Sequence, residues 1–296
     1  MASVQRLAAL LLCLPAAAAA QPRRALVVVL DAGHGGAYPH DGAHGRGSLV
    51  EKDVALSVAL RTKEAMEEAG VTVVLTREAD ADLPLPRRAQ VANEAGADLF
   101  LSIHCNSMPK LKDRLLTRGV ETYFLSPDPT DSDARLLAEI ENGGGSDAAP
   151  AKSADAVGGI LADLTLGQAR KDSARLAEIV QRRMVRDARI SGRGVRQAPF
   201  AVLAGTRMPS ALVEIGFISH PLEGRLLGKE RHQKAIARAL AAAAREYADE
   251  VLARRLVSAA RRVVLPEIVL VARRPPAGPA PAASSVAPVA AAAAAR

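Results

Sequence analysis

The stretch LVVVLDAGHGG, Leu26 to Gly36, decides how the rest of the chain is read. Leu26 to Leu30 form an apolar, β-branched run, the pattern of a strand buried on both faces. Asp31, Gly33, Gly35 and Gly36 then break the run and leave His34 at the mouth of a sheet. In open α/β sheets, ligands bind outside the carboxyl ends of the strands. A histidine placed there is a candidate metal ligand; its bland alternative is a turn histidine with no role. A Gly-rich turn after a strand could also cradle phosphate, but neither GxGxxG nor GxxxxGK[ST] is present.

The following segments repeat the theme. A polar loop, Ala37 to Leu49, carries His40 and His44. Glu51, Lys52 and Asp53 lead into a helix whose apolar residues Ala55, Leu56, Ala59, Leu60 and Met66 recur at helical spacing, with Gly70 as the stop. Val71 to Thr76 is a second strand, making a right-handed βαβ unit. Arg87 to Ala95 reads as a helix. Asp98 to Ile103 reads as a third strand ending in His104, and Val120 to Leu125 as a fourth. From about 127 to 171 the alternation breaks. Ala134 to Asn142 looks helical, Gly143 to Lys152 is Gly-rich, and Val157 to Leu166 is apolar. Long insertions at the ligand end of a sheet usually serve function. Ser173 to Val185 reads as a helix, Ala201 to Leu203 as a short strand, and Ser210 to Ile215 as a strand holding Glu214. Arg231 to Val257 reads as a long Ala-rich helix.

Three polar residues therefore stand at strand ends: His34, His104 and Glu214, with Glu51 opening the helix after the first strand. Two histidines and a carboxylate suit a catalytic zinc site with its fourth position left for water. A further carboxylate is then needed to take and return the proton. An acid in an apolar strand, such as Glu214, is costly to bury unless paired or catalytic. Glu51 has a competing explanation, because acids favour helix starts. His40, His44, His220 and His232 read as surface histidines. Cys105 reads as a small buried filler rather than a nucleophile.

Composition bounds the function. The chain has 296 residues, is 49% hydrophobic and only 2% aromatic, with no Trp. Stacking on nucleic acid therefore has little to work with. Residues 1–20 combine Arg6, the apolar run Leu7 to Leu14 and the alanines Ala16 to Ala20, the pattern of a secretory signal peptide. Its removal leaves Cys105 as the only cysteine, so no internal disulfide is expected. Formal charge is +7, of which the signal contributes Arg6 alone. A basic exported chain meets anionic partners such as wall polymers or a membrane surface. Residues 258–296 read as a basic, Pro/Ala-rich disordered tail suited to peripheral contact with either.

The ordered segments DAGHGG, EKDVAL, VVLTR, ADLFLSIHCN, GVETYFLS and MPSALVEIGFIS resemble the zinc-dependent N-acetylmuramoyl-L-alanine amidases of the amidase-3 type, from about Ala25 to Ala248. The resemblance implies one α/β domain, residues 21–257, with a twisted, mostly parallel six-stranded sheet flanked by helices and a helical regulatory insertion. It implies one zinc held by His34, Glu51 and His104, with Glu214 as catalytic carboxylate. It implies a periplasmic enzyme that cuts the bond between N-acetylmuramic acid and L-alanine in peptidoglycan during daughter-cell separation. LLAEIEN, Leu136 to Asn142, is similar to the segment that blocks the zinc in division-associated members, and Glu141 aligns with its plugging glutamate. VGGILADLTLGQARKDS, Val157 to Ser173, resembles the helix on which an LytM-type activator acts. A monomer is expected. The rival readings are another zinc peptidase of the wall, such as a carboxypeptidase, and an inactive wall-binding homologue.

Overall fold

The computed structural model describes residues 25–143 and 156–271, and gives only the backbone course of 156–166 and of most residues after 254. The expected signal peptide, the Gly-rich stretch after Gly143 and the end of the tail lie outside these residues. Six strands form one sheet in the order β2-β1-β3-β6-β4-β5. β1 (Val27–Ala32), β2 (Thr72–Leu75), β3 (Leu99–Asn106) and β6 (Ser210–Phe217) run parallel. β4 (Val120–Leu125) pairs antiparallel with β6 and parallel with β5 (Gly192–Ala198). The expected mostly parallel sheet is what forms, with one reversal in it.

Burial explains the strands. Every residue of β3 and β6 is buried. Val28, Val29 and Leu30 have no exposed surface, as a central strand covered on both faces requires. Helix α1 (Glu51–Glu67) buries Val54, Ala55, Val58, Ala59, Thr62 and Met66, one helical face. A second cluster packs Phe100, Tyr123 and Leu212 of the sheet against Phe200, Val202 and Leu203. Helix α4 (Ser132–Glu141) adds Ala134, Leu137 and Ala138 to that cluster.

Several elements differ from the sequence reading. β3 runs on to Asn106, so His104 lies within the strand. Helix α2 spans Leu85–Glu94, opening two residues before the expected start with Pro at its first turn. Two short helices, α3 (Leu111–Arg114) and α6 (Glu223–Leu227), had no sequence signal. The expected strand Ala201–Leu203 is a hydrogen-bonded turn, with Leu203 N and Ala204 N donating to Phe200 O. The strand is instead β5, GRGVRQA, an edge strand whose glycines and arginines hide the apolar alternation. Helix α5 (Ala156–Asp187) is continuous, joining the apolar segment Val157 to Leu166 to the expected helix at Ser173.

The chain divides into two units, Met1–Asp249 and Glu250–Arg296, with the boundary inside helix α7 (Glu230–Val271). In the first unit α7 buries Ile236, Ala237, Leu240, Ala243, Ala244 and Tyr247. The second unit carries α7 on to Val271, past Val257 where the sequence reading ends it, so residues 258–271 of the expected disordered tail are helical. Among the described residues no helix is long and apolar enough to cross a membrane.

Candidate metal centre

Four side chains meet at one point. One ligand atom each from His34, Glu51, His104 and Glu141 lies within 4.8 Å of the others. Each comes from a different element. His34 sits on the turn after β1, in a left-handed conformation at φ 59°. Glu51 is the first residue of α1, His104 lies in β3, and Glu141 ends α4.

The backbone permits this convergence through two glycines. A Cβ at Gly33 would stand 2.5 Å from the His104 ring. A Cβ at Gly42, where φ is +79°, would stand 2.7 Å from both Glu51 Oε2 and His34 Cδ2. Any side chain at either position would push a ligand out of place. Glu51 is further fixed by its neighbours: Ala43 N donates to Oε2 at 2.8 Å and Cys105 N to Oε1 at 2.8 Å. Such outer contacts orient a metal-binding carboxylate.

The donor atoms stand a few tenths of an ångström closer than ligands around a tetrahedral ion. His34 Nε2 lies 3.2 Å from Glu51 Oε1 and 3.0 Å from Glu141 Oε2. His104 Nδ1 lies 3.1 Å and 2.9 Å from the same two oxygens. Bonds of about 2.0–2.2 Å to zinc would set tetrahedral ligand atoms roughly 3.3–3.6 Å apart, a small outward adjustment of these side chains. Yet His34 Nε2 and Glu141 Oε2, both buried, find no partner in hydrogen-bonding geometry. Two buried donor atoms 3.0 Å apart without a hydrogen bond form an arrangement that a shared cation would satisfy. Two imidazoles and one or two carboxylates are also the donor chemistry zinc takes. The residues present fit the ion.

The electrostatics ask for positive charge as well. Burial alone would lower the His34 pKa, but the Glu51 and Glu141 carboxylates outweigh it and raise it to about 10. His104 rises well above its ordinary value for the same reason, with Glu141 the stronger partner. Without a metal, protons on the histidines supply the charge that the carboxylates demand. Metal binding must displace those protons.

Glu214 stands beside this cluster and outside it. It is wholly buried, in register with His104 of β3 on one side and Glu121 of β4 on the other. Neither of its carboxylate oxygens has a hydrogen-bond partner. Burial and then the charge of Glu141 push its carboxyl well above the usual range. Glu51 and Glu141, and not Glu214, are grouped with the two histidines.

The other sequence candidates separate. The side chains of His40 and His44 are exposed and pair with Asp82 and Asp41. His220 is not a surface histidine: it is buried, and its Nδ1 accepts from Leu222 N at 3.2 Å and Glu223 N at 3.1 Å, capping α6. His232 is also partly enclosed, and burial lowers its pKa. Cys105 is a free, buried thiol whose pKa burial raises, as a filler should be. Sequence reasoning missed a network around Glu121, which accepts from Asn106 Nδ2, Tyr123 OH and Arg193 Nε at 2.9, 2.9 and 2.7 Å. The acid at the second position of the GVETYFLS strand was its one visible signal.

The family described as N-acetylmuramoyl-L-alanine amidase, Amidase_3, matches residues 28–246. The chain is 35% identical over 219 residues to the N-acetylmuramoyl-L-alanine amidase AmiA of Escherichia coli K12, covering 73% of each. It is 34% identical over 241 residues to AmiC of Neisseria meningitidis serogroup B, covering 77% of this chain but 54% of that protein, about half its length. The solved structure of AmiC2 of Nostoc punctiforme superposes with a TM-score of 0.55 at 30% identity, covering 76% of this chain and 97% of that one.

Proposed function

We propose, for a chain that belongs to the N-acetylmuramoyl-L-alanine amidase family, that it cuts the amide between N-acetylmuramic acid and L-alanine in peptidoglycan, using zinc held by His34, Glu51 and His104. The observation that carries this is the meeting of those three donors beside a buried carboxylate with no partner of its own. Bound there, zinc would lower the pKa of a water towards 7 and polarise the scissile carbonyl.

The protein's own groups do the rest. Glu214 takes a proton from the attacking water and returns it to the leaving L-alanine nitrogen. Burial and the charge of Glu141 raise its pKa, which favours its holding the proton between those two steps. Glu51 acts as a ligand and as the anchor of its helix start. Glu141 takes the position that water needs, so the resting enzyme is autoinhibited. Its side chain is 8% exposed and 2.9 Å from His104 Nδ1, which leaves little room for a substrate carbonyl. An activator of the LytM type, drawing α4 away from the site, would release it. The signal-like N-terminus and basic charge suit export to the periplasm and a role in separating daughter cells.

The test is direct. Purified protein should carry one zinc per chain and release, from labelled peptidoglycan, stem peptides with free L-alanine amino termini. Release of single terminal residues instead would identify a carboxypeptidase. No release at all, with or without α4, would identify a wall-binding homologue.

A further inference from the structure

Arg77 is a buried charge in an unusual position. It follows β2, is 5% exposed, and its four hydrogen bonds all go to backbone carbonyls. Nε donates to Ala32 O at 2.9 Å and Nη1 to Ala79 O at 3.1 Å. Nη2 donates to Gly33 O and to Lys52 O, both at 2.8 Å. Gly33 precedes His34, and Lys52 follows Glu51. One nitrogen therefore ties the backbone beside one ligand to the backbone beside another.

The neighbouring contacts point the same way. Arg88 Nη1 donates to Ala32 O at 2.8 Å and Nη2 to His34 O at 3.1 Å. The carbonyls of Ala32, Gly33 and His34 are thus each held by a guanidinium. The segment after Arg77 closes on the same turn. Asp80 accepts from Gly36 N at 2.7 Å, and a Cβ at Gly35 would stand 2.1 Å from Ala81 O. His34 needs such support, because its positive φ is a conformation that side chains other than glycine rarely adopt.

We propose that Arg77 is a positioning residue for metal binding, holding the His34 turn and the Glu51 helix start in their ligating arrangement before any metal arrives. This rests on the reading of His34, Glu51 and His104 as zinc ligands. His104 needs no such brace, since β3 is locked between β1 and β6. A fork of planar donors is what four carbonyls from three segments require. Lysine would keep the charge and lose the fork.

Zinc affinity of Arg77→Lys, measured by competition with a chromophoric chelator, tests the proposal. The variant should bind zinc about 10–100-fold more weakly than the parent, the usual effect of losing an outer-shell partner. At saturating zinc its kcat should return to the parental value. Leu240→Ala, a core cavity in α7 far from the ligands in sequence, controls for stability: it should lower the Tm and leave the zinc Kd unchanged. An unchanged Kd in Arg77→Lys, or an equal loss in Leu240→Ala, overturns the proposal. A parent that binds no zinc overturns the ligand reading itself. A second measurement needs no variant. In the metal-free parent, the amides of Gly33, Gly35 and Gly36 should stay as protected from hydrogen exchange as with zinc. Protection that appears only with zinc would mean that the metal, not Arg77, organises the turn.

Discussion

At the scale of single residues, Glu214 and Glu51 show how one side chain type takes two roles. Glu51 accepts from two backbone amides; burial alone would raise its carboxyl, but the His34 and His104 imidazoles outweigh it and hold it well below the usual range. Glu214 has no donor at all and rises. Their substitutions should therefore differ. Glu214→Gln should keep stoichiometric zinc and lose on the order of 10²–10⁴ in turnover, measured by metal analysis and peptide release. His34→Ala or His104→Ala should lose both zinc and activity, because one missing ligand of three leaves a weak, open site. The placement of these residues was partly legible in sequence: His104 and Glu214 interrupt apolar strands that have no structural use for them, and His34 stands on the glycine-rich turn after one. Glu51 was ambiguous, since a helix start explains an acid equally well, and only resemblance to a family decided it. Arg77 was not legible. Its partners are backbone carbonyls, which leave no trace in a residue pattern. His220 misled because a buried histidine capping a short helix looks like a loop residue until α6 is known.

At the scale of the element, α4 is fastened at both ends. Asp131 caps it, accepting from Ala134 N at 2.9 Å, and also pairs with Arg196 of β5 at 2.9 Å. At the other end Asn142 Nδ2 donates to Pro199 O at 2.9 Å, and its Oδ1 accepts from Ala201 N at 2.7 Å. Glu141, the residue before, is thereby held beside His34 and His104. Glu141→Ala should raise basal hydrolysis without activator and leave zinc content unchanged. Asn142→Ala removes two hydrogen bonds, about 1–3 kcal/mol, and should raise the open fraction by roughly 5-fold to 150-fold. Basal rates equal to the parent in both variants, in a preparation that an activator still stimulates, would refute the plug. The helix itself was visible in the spacing of Ala134, Leu137 and Ala138. Its docking was not, because β5, the strand it lies on, has no apolar run to announce it.

At the scale of the whole molecule, the sheet binds stability to pH through Asp31. Burial alone would raise its carboxyl, but Arg88, Ser102 and Thr76 outweigh it and hold it below the ordinary value. Unfolded, the group titrates near 3.9, so its stabilising contribution is full above that pH and fades as pH falls through the lower folded value. Asp31→Asn should therefore flatten the acid limb of the Tm profile below about pH 4 while costing stability at neutrality, as scanning calorimetry would record. The same sheet carries His104, Glu214 and Glu121 at one level on three adjacent strands. A slip of one residue in any of those strands would turn its polar group to the other face. Natural variation therefore has little freedom to retune this centre by small backbone shifts. New substrate preferences must arise in the loops around it, and a lineage that lost the register would lose enzyme and scaffold in a single step.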